Sequence, residues 1–345
     1  MSSECLNASS TKVTENGVNS NSTKIDFRDV AIYALDKKRI FLYNGKREET
    51  GGSDMRQIEW NERYNIDVEI VDKAHQRLFS IVRKLSQMSD NERKNKWACA
   101  EGVKYFKGYA LKHFAEEEAY MRSVNYSGYE MHRKLHENMR DQTLPVLEMD
   151  LVRSDYSEES ISRFLGFCLG WLSQHILIED RAITGKVSRK WVHEQSEEEY
   201  LALKQAVARV FSEDFQIDAR IASRYYSGED IGKAYYYRLL YSTKDGKKYQ
   251  IFLAFEERLL LKLAGKLLNE YFAKMDRTVL NALPQLSRQL TEHVGAYLKT
   301  VELEKLEKDN LLTYDQILRA FEKEYPCYSM LFDTDAGFFA FCIKK

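Results

Sequence analysis

Between residues 72 and 184, apolar side chains recur every three or four positions in four long stretches: Asp72 to Met88, Glu92 to Val124, Tyr129 to Met149 and Glu158 to Thr184. This period lines up one face of an α-helix, so the pattern predicts four amphipathic helices. The apolar face is widest in the last, where Ile161, Phe164, Leu165, Cys168, Leu169, Trp171, Leu172, Ile176 and Ile178 fall together. The segments "VNYSGY" and "DLVRSDYSE" make short connections. Four helices joined this way fold as an up-down-up-down bundle.

After about Glu194 the period changes. One more helix, "EEEYLALKQAVARVF", leads into three β-rich runs, "FQIDARIASRYY", "KAYYYRLLYS" and "KKYQIFLAF", the last two joined by the turn signal "TKDG". Helical patterns follow at Glu257 to Phe272, Arg277 to Leu298 and "YDQILRAFEKEY", and "CYSMLFDTDAGFFAFCI" reads as a final hairpin turning at "TDAG". The fold class is therefore multidomain: an all-α four-helix bundle over 56–190, followed by an α+β domain over 195–345. Upstream, residues 1–24 are rich in Ser, Asn and Thr and read as a disordered tail. Within 25–55, two β-rich runs flank "DKKR" in a hairpin pattern, and "REETGGSD" reads as a linker.

Composition narrows the class. A chain of 345 residues with 44% hydrophobic and 30% charged residues has the make-up of a globular protein of about two domains. Its net charge of −1 argues against nucleic acid or an anionic membrane as partner. No uninterrupted apolar run approaches the roughly 18 residues of a membrane span. The N-terminus "MSSECLNASS" lacks the basic flank and apolar stretch of a signal peptide. Cys5, Cys99, Cys168, Cys327 and Cys342 form no CxxC pair and read as free thiols, which points to the cytoplasm.

The candidate chemistry lies in the histidines. "YEMHRKLHENM" places His132 and His136 four residues apart, on one helix face. Alone, such a pair is a weak signal and reads first as a solvated helix face. It is accompanied by His113 and Glu117 in "HFAEE" at the same spacing, by His75 on the first helix, and by His175 and Asp180 in "HILIED" on the fourth. Of seven histidines only His193 and His293 lie outside this set, and both read as surface or core residues. His175 and Asp180 would point about 140° apart on an ideal helix, so a common centre requires a locally widened, π-type turn. Five imidazoles and two carboxylates exceed the ligand demand of one tetrahedral zinc. They suit two adjacent octahedral ions, and the mixed nitrogen and carboxylate set favours iron. No histidine has a Glu three residues before it, as the ferritin-like carboxylate centres require.

With these residues assembled, the region from about Ile58 to Thr184 resembles the bacterial hemerythrins. The matching pieces are "IEWNERYNIDVEIVDKAHQRLF", "HFAEEEAYM", "YSGYEMHRKLH" and "FLGFCLGWLSQHILIED". Ala74 stands where the family often has Gln. The resemblance implies that His132, His136 and His175 hold one iron and that His75 and His113 hold the other. Glu117 and Asp180 would bridge, leaving a position where dioxygen binds and is reduced to the peroxide level. Phe79, Leu135, Trp171 and Leu172 would wall the site, equally as ordinary bundle core. Asp72 reads as a helix N-cap, and Tyr126 and Tyr129 as packing at a turn.

The region 197–345 resembles the CheX-type chemotaxis phosphatases, in which an acid three residues before an Asn, followed by Gly-Asn, forms the catalytic helix. Here "DRTVLNALPQL" offers Asn281, but Thr278 takes the acid position and Pro284-Gln285 replace Gly-Asn. Pro284 should bend the helix. The resemblance implies a domain without phosphatase activity that keeps partner binding, to a response regulator or other chemotaxis protein, or self-association as a homodimer. The combined expectation is an oxygen or redox sensor with a diiron cofactor and dioxygen as ligand. The alternatives are oxygen or iron storage, and a diiron enzyme acting on peroxide or nitric oxide.

Overall fold

The computed structural model describes residues 60–88, 96–191, 196–298, 303–322 and 324–344. The expected tail over 1–24, the hairpin and linker over 25–55, and His193 lie outside the described residues.

After a single 3₁₀ turn (Glu62–Tyr64), the bundle is built from α1 (Glu69–Ser86), α2 (Lys96–Ser123), α3 (Tyr129–Asn138) continuing into α4 (Leu144–Arg153), and α5 (Glu158–His175) continuing into the short α6 (Arg181–Ile183). Two five-residue π-turns join the split pairs, Met139–Thr143 between α3 and α4 and Ile176–Asp180 between α5 and α6. The helices form where the apolar period predicts them. In α1 the buried residues Val71, Ala74, His75, Leu78, Val82 and Leu85 form one stripe. Ser157 caps α5 by accepting from Ser160 N at 3.2 Å, and Glu158 and Glu159 fill its first turn, where they complement the helix dipole. Asp72 is not an N-cap, because α1 starts at Glu69. From the first turn its carboxylate reaches back to accept from Ile66 N at 2.8 Å and Asp67 N at 3.1 Å, pinning the entering loop.

The remainder is α7 (Glu197–Phe215), β1 (Ala219–Ser223), β2 (Ala234–Ser242), β3 (Lys248–Glu256), α8 (Glu257–Leu268), α9 (Arg277–Tyr297), β4 (Lys305–Leu312), α10 (Tyr314–Ala320), β5 (Tyr328–Thr334) and β6 (Gly337–Lys344). The strands form one antiparallel sheet in the order β1-β5-β6-β3-β2-β4. Strand β4 is an addition to the expected order. It is an edge strand paired only with β2 and carries Lys305, Glu307, Lys308 and Asp309, so it lacks the apolar alternation that marks a buried strand. Helix α8 stops four residues before the expected Phe272, because Asn269 adopts a left-handed conformation (φ 53°) that terminates it. Helix α9 runs through Pro284 as one element.

Both faces of the sheet are buried, and by different partners. Phe255, Phe339, Phe341, Met330 and Phe332 turn toward α7, α8 and α9. The alternate positions Phe252, Ala254, Leu331, Phe338, Ala340 and Cys342 share a single core with bundle residues including Phe164, Phe167 and Trp171. Double burial explains why β3, β5 and β6 are apolar almost throughout. The bundle therefore lies directly on the sheet, and the chain between them is only one of their connections.

Polar bonds fix this seam. Asn138 at the end of α3 donates to Ser223 Oγ at 2.9 Å and accepts from Arg224 N at 3.0 Å. Thr143 donates to the Ala222 carbonyl at 2.8 Å, and Arg153 pairs with Asp333 at 2.8 Å. One helical stretch among the described residues, Glu158–Ile183, does reach the length and apolarity of a membrane span, with a mean hydropathy of 1.2 over 18 residues. It is one of the bundle helices, with more than half of its apolar window buried, and carries buried His175 and Asp180.

Candidate metal centre

The seven sequence-predicted ligands converge at the middle of the bundle, all buried. α1 supplies His75 and α2 supplies His113 and Glu117, one turn apart. α3 supplies His132 and His136, also one turn apart. His175 closes α5, and Asp180 ends the π-turn that follows. The extra residue of that turn brings the carboxylate round to the side that His175 faces. Asp180 Oδ1 then lies 3.1 Å from His175 Nε2 and 3.3 Å from His132 Nε2, and Oδ2 lies 3.1 Å from His75 Nε2. On the opposite side Glu117 Oε2 lies 3.4 Å from His136, 3.6 Å from His132 and 3.8 Å from His113, each measured to Nε2. The Nε2 atoms of His136 and His132 both stand 3.0 Å from that of His175.

The ligand atoms fall into two overlapping groups, each lying within 4.8 Å of one another: Glu117, His132, His136 and His175, and His75, His113 and Glu117. Glu117 belongs to both. Neither oxygen of Glu117 nor of Asp180, nor either nitrogen of His75, has a hydrogen-bond partner among the described residues. Buried polar atoms are normally satisfied, and a cluster of orphaned donor atoms aimed at a common point is what a cation requires.

The charge balance says the same. Burial and the neighbouring Asp180 both disfavour a charged Glu117, yet the imidazoles of His132 and His136, 3.4–3.6 Å away, hold its pKa below the usual range. Asp180 is likewise buried and held low by His175, His132 and His75. Burial drives His113 down to about 3 and His175 down to about 4, so both stay neutral with free lone pairs. Burial also opposes a charged His132, but the carboxylates of Asp180 and Glu117 beside it outweigh this and raise it to about 10. Two buried carboxylates thus demand positive charge, which metal ions supply when bound.

Around the ligands the wall is aromatic. Trp171 stacks on His175 with ring centroids 4.4 Å apart, and Phe114 stacks on His136 at 4.2 Å. Phe79, Leu135 and Leu172 are buried beside them. Tyr126 folds over Gly128, where a Cβ would meet its ring at 2.5 Å, and Tyr129 accepts from Arg122 at 2.6 Å. Sequence reasoning missed Glu118, which bonds His136 Nδ1 at 3.1 Å and orients that ring. Its position beside Glu117 in a run of three glutamates carries no signal that separates it from surface charge. Phe114 and Asn138 were missed for a similar reason, since each reads as an ordinary bundle position.

Comparison with known proteins agrees with this geometry. Residues 66–187 match the family model described as the hemerythrin HHE cation binding domain. Residues 66–187 are a hemerythrin domain. Over 126 residues the chain is 28% identical to the bacteriohemerythrin of Clostridium acetobutylicum, covering 35% of this chain and 95% of that protein. Over 129 residues it is 27% identical to the myohemerythrin of Theromyzon tessulatum, covering 37% and 92%. Among solved structures, the chemotaxis protein CheX of Vibrio vulnificus is similar at 11% identity and a TM-score of 0.32, covering 44% of this chain and 99% of that one. The histidine and carboxylate set of the hemerythrin domain suits non-heme iron: neutral imidazoles and hard oxygens without thiolate.

Proposed function

We propose that this protein is a diiron oxygen-binding sensor whose hemerythrin domain reports its ligand state to the sheet it lies on. Seven donors exceed what one octahedral ion accepts, and two such ions would use them all with positions to spare. His132, His136 and His175 would hold one ion, and His75 and His113 the other. The observation that carries this division is the membership of Glu117 in both ligand groups, which suits a bridging carboxylate. Asp180, within 3.1–3.3 Å of His75, His132 and His175, would be the second bridge. When bound, the iron pair supplies reversible dioxygen binding with electron transfer between metal and ligand.

The residues of the chain set the conditions for that chemistry. Glu118 fixes the tautomer and plane of His136, and the stack of Trp171 on His175 and of Phe114 on His136 limits rotation of both rings and keeps water out. The sensor reading over storage is supported by the seam. Asn138, two residues beyond His136, is bonded to β1, and Gly170, five residues before His175, lies so close to residues 229–230 that a Cβ would come within 3.3 Å of Asp230 N. A displacement of either ligand helix therefore meets β1 or the loop that follows it. For the sheet domain we propose partner binding without phosphatase chemistry, because Thr278 carries no carboxylate to anchor a partner's lysine.

Metal analysis with absorption spectroscopy tests the first claim. About two irons per chain are expected, with a charge-transfer band that appears in air and disappears reversibly on removing oxygen. One zinc per chain would overturn it.

A further inference from the structure

Where the bundle meets the sheet, the structure contains a cleft of about 320 Å³ that no part of the metal chemistry uses. Its volume is at the lower end of the range for small-molecule sites, about 300–1,000 Å³. The bundle side contributes Gln174 and Lys190, and the sheet side contributes Ser227, Arg319 and an apolar floor of Phe321 and Tyr325. We propose that this cleft binds a small organic monocarboxylate with a flat apolar body, its carboxylate between Lys190 and Arg319 and its ring on the Phe321–Tyr325 floor.

Three observations support the assignment. Lys190 is half-buried, its Nζ sits 5.2 Å over the Tyr325 ring, and no carboxylate among the described residues comes within 4 Å of it. Its ammonium is partly desolvated, which lowers its pKa, and Glu179 and Glu322 offset this only from beyond ion-pair distance. An anion in the cleft would complete it. The one acid in the lining, Glu322, is exposed at the rim, where water screens it. The floor is aromatic and edge-on, with Phe321 and Tyr325 at 85° and 6.4 Å and Trp191 packed behind Tyr325 at 4.6 Å. This shape favours a flat body over a branched one. A separate space of about 10 Å³, which shares Gln174, Ser227 and Tyr325 with the cleft, is bounded by Trp171, His175 and Glu179 and is close to what a single water needs. The organic ligand is thus confined to the cleft itself, beside Gln174, the residue that precedes His175.

The proposal stands on the cleft alone and does not depend on the iron content. Titration calorimetry of the full chain with benzoate tests it, with benzyl alcohol as the uncharged probe. Benzoate should bind once per chain with a Kd near about 1 mM, as suits so small a ligand. Lys190→Gln and Arg319→Gln should each weaken it about tenfold, and benzyl alcohol should not bind measurably. Arg319 is exposed, so Arg319→Gln leaves the fold intact and decides the matter if Lys190→Gln does not fold. Absence of benzoate binding, affinity unchanged by the folded variants, or equal binding of benzyl alcohol would each overturn the proposal.

Discussion

At the scale of single residues, the centre separates side chains placed to hold a cation from those that position them. Glu117 belongs to both donor groups, so Glu117→Ala should remove most of the metal, whereas His132→Ala should chiefly deplete the ion proposed to sit between His132, His136 and His175. Iron per folded chain, measured by metal analysis after gel filtration, distinguishes the two; equal loss would speak against a shared bridge. Glu118 touches no shared donor atom except through His136. Outer partners of metal-bound histidines typically contribute 10–100-fold to affinity, so Glu118→Gln should weaken iron retention against a chelator by at least about tenfold while leaving the melting temperature of the metal-free chain unchanged. Retention equal to that of the unsubstituted chain would reduce Glu118 to a surface charge.

At the scale of elements, the two π-turns do different work. Ile176–Asp180 brings its carboxylate to the centre, and Met139–Thr143 presses the end of α3 against β1. Asn138 is the anchor of that contact, bonded at 2.9 Å to Ser223 and at 3.0 Å to Arg224 N in a buried setting. Asn138→Leu removes both bonds without leaving a large void. Losing buried partners costs about 1–3 kcal/mol each, so thermal unfolding should begin several degrees lower, with iron content retained. A variant that melts like the unsubstituted chain would show that the seam is held by its apolar contacts alone. On α9, Thr278, Asn281 and Gln285 are exposed on one side, where a partner could reach them. With a hydroxyl at 278, no phosphate release from a phosphorylated response regulator is expected, and turnover in a phosphate-release assay would refute this.

At the scale of the whole molecule, the metal centre reaches the sheet by two routes. One runs along the chain from Asp180 through α6 to Trp191, which packs against Tyr225 and Tyr325. The other crosses the seam at Asn138 and Gly170. An allosteric ligand must bind two states of the protein with different affinity. Oxygenated and deoxygenated forms should then differ in hydrogen exchange over residues 181–191 and 219–224, and Asp180→Ala should abolish the difference. Identical exchange in both states would leave the hemerythrin domain a storage module that happens to share a core with its neighbour.

The four helices, and the seven side chains that converge between them, were legible in the sequence, because helical period and histidine spacing are local properties that burial only reinforces. The need for a π-turn between His175 and Asp180 could be read from their five-residue separation for the same reason. Strand β4 was not legible, since an edge strand with charged residues pairs through its backbone and leaves no side-chain period. Asp72 was misjudged as a cap because its role depends on a loop folding back from six residues upstream. Above all, apolar runs such as "LFDTDAGFFAFC" say that both faces of a strand are buried but not by what. Only the tertiary structure decides that one face takes its own helices and the other takes the hemerythrin bundle, because which surfaces meet depends on the complementarity of two folded parts.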